Sequence, residues 1–306
     1  MAPLTSTRIE HAPQLADDTP IPNPLDRMGI GLKLPRYHAG DVSRRSHAHD
    51  ATHSAVRERT FDMTAATHPV SPLVPIARDF SRAVGALHWR TPSHVYNPLD
   101  YAWHGHRQYL QRYGHTRGRV LLLGMNPGPW GMTQTGVPFG SIAMVRDWFG
   151  IVTRLSPTLP AQHPKYPILG MACHRDEGSG RRLWGWARER VGEPAAFFER
   201  FFVWNYCPLL FLKHDRNLIP AHLSAAETRA LDAICDHALE RAISALQPSA
   251  IVGVGRYAQQ RAQRLVGDGL PIAYLPHPSP ASPAANREWP QLAEHALAQW
   301  LPRARR

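Results

Sequence analysis

With 306 residues, 43% of them apolar, the chain can hold one large domain or two small ones around a real core, and no apolar run approaches the ~18 residues of a membrane-spanning helix. A formal charge of +11 and a pI near 10.1 favour a polyanionic partner, nucleic acid first, over a merely solvated arginine-rich surface. Cys173, Cys207 and Cys235 are too widely spaced for a CxxC pair, which excludes the usual seeds of zinc and iron–sulfur sites. They read as small core residues in a reducing compartment, bacterial cytoplasm or eukaryotic nucleus.

Residues 1–68 are rich in Pro, His, Asp and Arg and lack an apolar period, so they read as a disordered tail before a single domain at 69–306. His47, His49 and His53 lie in that tail and are expected to be solvated rather than metal-bound. No secretory signal is apparent at the amino terminus. Order is expected from about Ser71, where Leu73, Ile76, Phe80, Val84 and Leu87 recur at helical spacing. A second helix is expected from Pro98, suited to a first turn, to about Arg112.

RVLLL (119–123) reads as a fully buried strand. It empties into GMNPGPWGMTQTGVPFG (124–140), whose Gly and Pro residues specify a long bent loop that lets a ligand approach the backbone. The polar groups of that loop are Asn126, Thr133, Gln134 and Thr135, and Trp130, Met132 and Phe139 offer apolar walls. This is the make-up of a pocket for a flat, uncharged, hydrogen-bonding molecule. Ile142, Val145 and Trp148 then suggest a short helix, 156–180 is Pro-rich and irregular, and Leu183 to Val191 is expected to be helical.

FFVWN (201–205) is a second buried strand, ending on Asn205. Ser224 and Glu227 carry the signature of a capping box at the start of a long helix. AIVGVG (250–255) and IAYL (272–275) are further strands, with a helix from Arg256 to Val266 between them and a last amphipathic helix closing the chain. Helices alternating with short, buried, β-branched strands argue for an α/β fold with a parallel sheet covered on both faces. Asn126, Asn205 and His277 then come at the carboxyl ends of strands, the edge where such sheets bind ligands. Gly253, Gly255 and Ala258 spell G-x-G-x-x-A, but a dinucleotide site needs an acidic residue about 20 positions on. Leu275, Pro276 and His277 occupy that place. What remains is a helix amino terminus beside Arg256, suited to a backbone phosphate of nucleic acid.

GMNPGPWGMTQTGVPFG, FVWNYCPLLFL, VGVGR, HPSP with its following ANREW, and YNPLDYAWHGHRQYLQRYG (96–114) together resemble the single-strand-selective monofunctional uracil-DNA glycosylases, over roughly Leu73 to Leu301. The resemblance implies a three-layer α/β/α fold on a four-stranded parallel sheet, with a pocket for a uracil flipped out of single- or double-stranded DNA. By the same resemblance Asn126 positions the attacking water and His277 donates to the departing base. Phe139 stacks on that base, Asn205 reads its Watson–Crick edge, and Met125, Gly128 and Met132 complete the base pocket.

Residues 278–288 are similar to the family's duplex wedge, which puts Ser279, Pro280, Ala281, Ser282, Pro283, Asn286 and Arg287 against DNA with Gly253, Gly255 and Arg256. Vertebrate members have Arg and Asn directly after HPSP. Here Ala281 and Ser282 make a smaller, uncharged tip, so single-strand activity is the firmer expectation. Trp130 stands where Phe is usual. A monomer is expected because no sustained exposed apolar stripe is evident, and the implied chemistry needs no metal, cofactor or membrane. The expected activity is release of uracil, and of oxidised 5-methyl derivatives such as 5-hydroxymethyluracil, in base-excision repair. The rivals are a glycosylase of the same scaffold for another base, such as hypoxanthine, and a non-catalytic binder of damaged or single-stranded DNA.

Overall fold

The computed structural model describes residues 70–280 and 283–301, with the side chains of 283–287 outside that description. The expectations for residues 1–68, His47, His49 and His53 included, therefore lie outside the described residues. Helix α1 (Leu73–Gly85) buries Leu73, Ile76, Phe80 and Val84, the stripe its spacing implies. Strand β1 (His94–Tyr96) follows. The helix expected over 98–112 is in fact two, α2 (Pro98–Tyr101) and α3 (Trp103–Tyr113), broken at Ala102. The break seats a turn from the central loop: a Cβ on Gly136 would meet the Ala102 carbonyl at 2.5 Å, and the Tyr101 hydroxyl donates to the Thr133 carbonyl at 2.7 Å.

Strand β2 (Val120–Gly124) is buried throughout. The loop after it contains one turn of helix, α4 (Met132–Thr135). The turn expected near Trp148 is a π-helical segment, Met144–Trp148. Helix α5 (Gly178–Val191) starts at Gly178 rather than Leu183, because Ser179 and Gly180 are buried against the loop although they add nothing to an apolar period. Helix α6 (Pro194–Phe198) leads into β3 (Phe201–Asn205), again buried throughout. Two short strands follow, β4 (Leu210–Lys213) and β5 (Arg216–Leu218).

The long helix α7 (Ala225–Leu246) opens on the expected capping box: Glu227 N–H donates to Ser224 Oγ at 3.3 Å and Ser224 N–H to Glu227 Oε2 at 3.0 Å. Strand β6 (Ala250–Val254), helix α8 (Arg256–Val266) and strand β7 (Ile272–Leu275) take their expected places. Helix α9 (Pro283–Leu297) is kinked at Glu288, two residues before Pro290.

The main sheet is parallel, in the order β3-β2-β6-β7, with helices flanking it. Its register puts Gly124 beside Asn205 and Val254 beside Leu275, so the strands end nearly level and their loops rise from one edge. A second, antiparallel sheet, β1-β4-β5, was not foreseen from the sequence. It stands beside that edge and brings Asn217 and Ile219 to the rim of the cavity described below.

Candidate active site

Beyond β2 and β3 the parallel pairing continues: Tyr206 N–H donates to the Gly124 carbonyl at 2.9 Å and Cys207 N–H to the Met125 carbonyl at 2.8 Å. This fixes the backbone on both sides of the first two strand ends. The Asn126 amide donates through Nδ2 to the Leu209 carbonyl at 3.2 Å, which leaves its Oδ1 as an acceptor. Asn205 is buried, and its Nδ2 donates to the Met132 thioether at 3.2 Å, a soft partner that a stronger acceptor would replace. Gly124 must lack a side chain, because a Cβ there would collide with Asn205 Oδ1 and lie 2.7 Å from Phe139 Cε2.

Phe139 is held by its backbone. It sits at a φ of 54°, a left-handed conformation that a bulky residue rarely adopts. Trp184 Nε1 donates to its carbonyl at 3.1 Å, and a Cβ on Gly180 would collide with that same oxygen. The first turns of α5 therefore fix the main chain from which the ring projects. Its centroid lies 5.9 Å from that of His277, with the planes tilted by 40°.

His277 follows β7 by two residues, with Gly255 at a φ of 93° packed against its Cβ and ring. Burial pushes its imidazole pKa down to about 4. At neutral pH it is uncharged, one ring nitrogen a donor and the other an acceptor.

These four side chains open on one cavity of about 420 Å³. Met125, Gly128, Trp130 and Met132 line it from the central loop, and Ser279 and Pro280 from the loop after β7. All seven residues expected to contact a base or act on it are thus brought together. Among the described residues no three His, Cys, Asp or Glu side chains gather closely enough to hold a metal ion.

Residues 111–300 match the family model of the uracil DNA glycosylase superfamily. The chain is 50% identical over 208 residues to a single-strand selective monofunctional uracil-DNA glycosylase of Rattus norvegicus, covering 66% of this chain and 74% of that protein. The proteins of the same name from Bos taurus and Mus musculus are 48% and 49% identical over 207 residues, covering 66% of this chain and 76% and 74% of their own. The chain belongs to this family.

Within this family member, some expected site residues do other work. Thr133, Gln134 and Thr135 are fully buried and do not line the cavity. Their side chains donate to backbone carbonyls of the loop and of a neighbouring segment: Thr133 to Gly128 at 2.8 Å, Thr135 to Gly131 at 3.1 Å, and Gln134 to Pro129 at 2.9 Å and to Pro167 at 3.0 Å. They corset the loop rather than face a ligand.

Gly253 is buried inside β6, and its missing Cβ is explained by α8, since a side chain there would collide with the Gln259 backbone. It is not at a surface that a phosphate can reach. Arg256 is exposed at the start of α8, its guanidinium 4.0 Å from the Tyr274 ring centroid and its Nη1 3.1 Å from Gln259 Oε1. Of the expected wedge, Ser279 and Pro280 are placed at the cavity. Ala281 and Ser282 lie outside the described residues, as do the side chains of Pro283, Asn286 and Arg287. From Pro283 onward that segment is helix, the first turns of α9.

The sequence reading missed Tyr166, Asn217 and Glu177, all of which line the cavity. Tyr166 and Glu177 come from the Pro-rich stretch with no period, and Asn217 from a strand too short to show one. No helix among the described residues is long and apolar enough to cross a membrane.

Proposed function

We propose that this chain is a monofunctional DNA glycosylase that accepts a uracil flipped out of single- or double-stranded DNA and releases it by hydrolysis, acting as a monomer. The observation that carries the reading is the meeting of Asn126, Phe139, Asn205 and His277 on one cavity at the carboxyl edge of the sheet. Breaking the N-glycosidic bond leaves positive charge on the sugar and negative charge on the base. Asn126, with its Nδ2 committed to Leu209, presents Oδ1 to a proton of the water whose oxygen adds to the sugar carbon. The neutral His277 donates a hydrogen bond toward the departing base and stabilises its charge without having to protonate it, a preorganised-donor effect.

Asn205 sets the base preference. Uracil offers a ring N–H donor beside a carbonyl acceptor, and one amide can accept from the first and donate to the second. That exchanges the weak Met132 contact for a stronger bond. Phe139 supplies the stacking face, and burial of the base against it and the Met132 wall offsets an extrusion cost of a few kcal/mol. The range extends to oxidised 5-methyl derivatives such as 5-hydroxymethyluracil. Lys165 and Lys213 are outside the cavity lining, so no described amine is placed to attack the sugar. A net charge of +11 favours the DNA partner.

The test is base release from oligonucleotides carrying uracil, 5-hydroxymethyluracil, hypoxanthine or thymine. Release of the first two, leaving an intact abasic strand cut only by alkali or heat, supports the proposal. Release of hypoxanthine in their place would reassign the base, binding without any release would leave a DNA-binding protein, and a borohydride-trapped adduct would end the monofunctional reading. The state of His277 sets the pH dependence. Its folded pKa lies below the ordinary value of 6.5, so the folded enzyme keeps the neutral imidazole as pH falls through 6.5 and loses it only near 4. The chemical step should therefore be flat between about pH 6 and 8; a limb centred near 6.5 would show that the titrating ring is exposed.

A further inference from the structure

We propose that Glu177, at the start of α5, is a positioning residue that sets the spacing between the Asn126 loop and the His277 loop. The proposal rests on the glycosylase reading and names a part of the machinery that reading does not require. Glu177 occupies the N-cap position of α5, and its side chain lies against the central loop. A Cβ on Gly128 would come within 2.8 Å of Glu177 Oε2, and a Cβ on Gly131 within 2.8 Å of its Cγ. Two glycines of the loop that carries Asn126 thus make room for this one side chain. Burial raises its pKa, against the amide and hydroxyl of Ser179 and the Trp130 amide, which favour its charged form.

The neighbouring residue meets the other loop. A Cβ on Gly178 would lie 2.7 Å from Pro280 Cγ, so the α5 backbone is in contact with the loop that carries His277. Arg182 Nη1 on the next turn donates to the Pro278 carbonyl at 3.3 Å. Glu177, Gly178, Ser179 and Pro280 all line the cavity shared by Asn126 and His277. The amino-terminal turn of α5 is therefore a spacer with one loop packed on each side. Hydrolysis needs the water side and the leaving-base side at a fixed separation, and a misplacement of about 1 Å can cost on the order of 100-fold in rate. Truncating the spacer should relax that separation while leaving the DNA surface intact.

The experiment is single-turnover uracil release from a single-stranded oligonucleotide, with its Kd measured separately, for wild type, Glu177→Ala, Glu177→Gln and Gly178→Ala. Glu177→Ala is expected to slow release by roughly 10- to 100-fold with Kd changed less than about threefold. Glu177→Gln keeps the volume and should recover to within a few-fold of wild type. Gly178→Ala presses on Pro280, itself expected to face DNA, and should slow release by more than it weakens binding. Its result decides the matter if Glu177→Ala fails to fold, as judged by circular dichroism. A wild-type rate for Gly178→Ala or Glu177→Ala overturns the proposal. So does a Gln variant as slow as the Ala variant, which would assign the effect to charge, or a loss that appears entirely in Kd. An inactive wild type would instead overturn the glycosylase reading.

Discussion

The two loops that meet in the cavity are built in opposite ways. The loop after β2 rises from a strand buried between β3 and β6, and almost every polar side chain on it is tied to its own or neighbouring backbone. The described part of the loop after β7 rises from the sheet's edge, with Arg182 holding the Pro278 carbonyl at 3.3 Å and Trp289 Nε1 the Pro276 carbonyl at 2.8 Å. Asn126, proposed to orient water, sits on this closely tied loop, and Asn205, proposed to read the base, ends the neighbouring strand β3. The loop that carries His277, the proposed donor to the leaving base, continues into the segment that the family resemblance places against DNA.

Four substitutions would break or sharpen that contrast. On the closely tied loop Asn126→Ala should lower base release by roughly 100-fold or more with DNA binding nearly intact, as expected for a group acting mainly in the transition state. Activity within a factor of a few would mean that water is positioned by something else. On the edge side His277→Leu should slow release on the order of 100-fold, the scale of losing one preorganised donor, and a wild-type rate would move the donor elsewhere.

Asn205→Asp should lose most uracil release and gain detectable cytosine release, best at mildly acidic pH. A protonated carboxyl can donate to the cytosine ring nitrogen and accept from its amino group, and an unmade pair of this kind costs several kcal/mol. Undiminished uracil release would show that Asn205 does not read the base edge. The smallest effect is expected from Arg256→Ala, which should weaken binding about equally across sequences and reduce the salt slope by about one. An unchanged slope would confine Arg256 to its packing on Tyr274.

What could be read in advance follows from how each element is stabilised. The four main strands announced themselves because strands buried on both faces read as unbroken apolar runs, and α8 was bracketed correctly by Gly255 and Gly267. Asn126, Asn205 and His277 were legible because strand ends in a parallel sheet share one edge. The small sheet was not, since β1 and β5 have three residues each, too few for a period to emerge. Glu177 escaped for a different reason: its importance lies in the Cβ atoms absent from Gly128 and Gly131, and an absence at two positions does not name the distant residue that fills it. Thr133, Gln134 and Thr135 were assigned to the ligand because a polar loop residue looks the same whether it faces a pocket or its own backbone.

The left-handed backbone at Phe139 bears on which side chains that position can carry. Because the main chain is held through Gly180 and Trp184, another aromatic side chain at position 139 would leave the backbone from the same point and in the same initial direction. That direction is held by α5, where the smallest added methyl, on Gly180, would displace it.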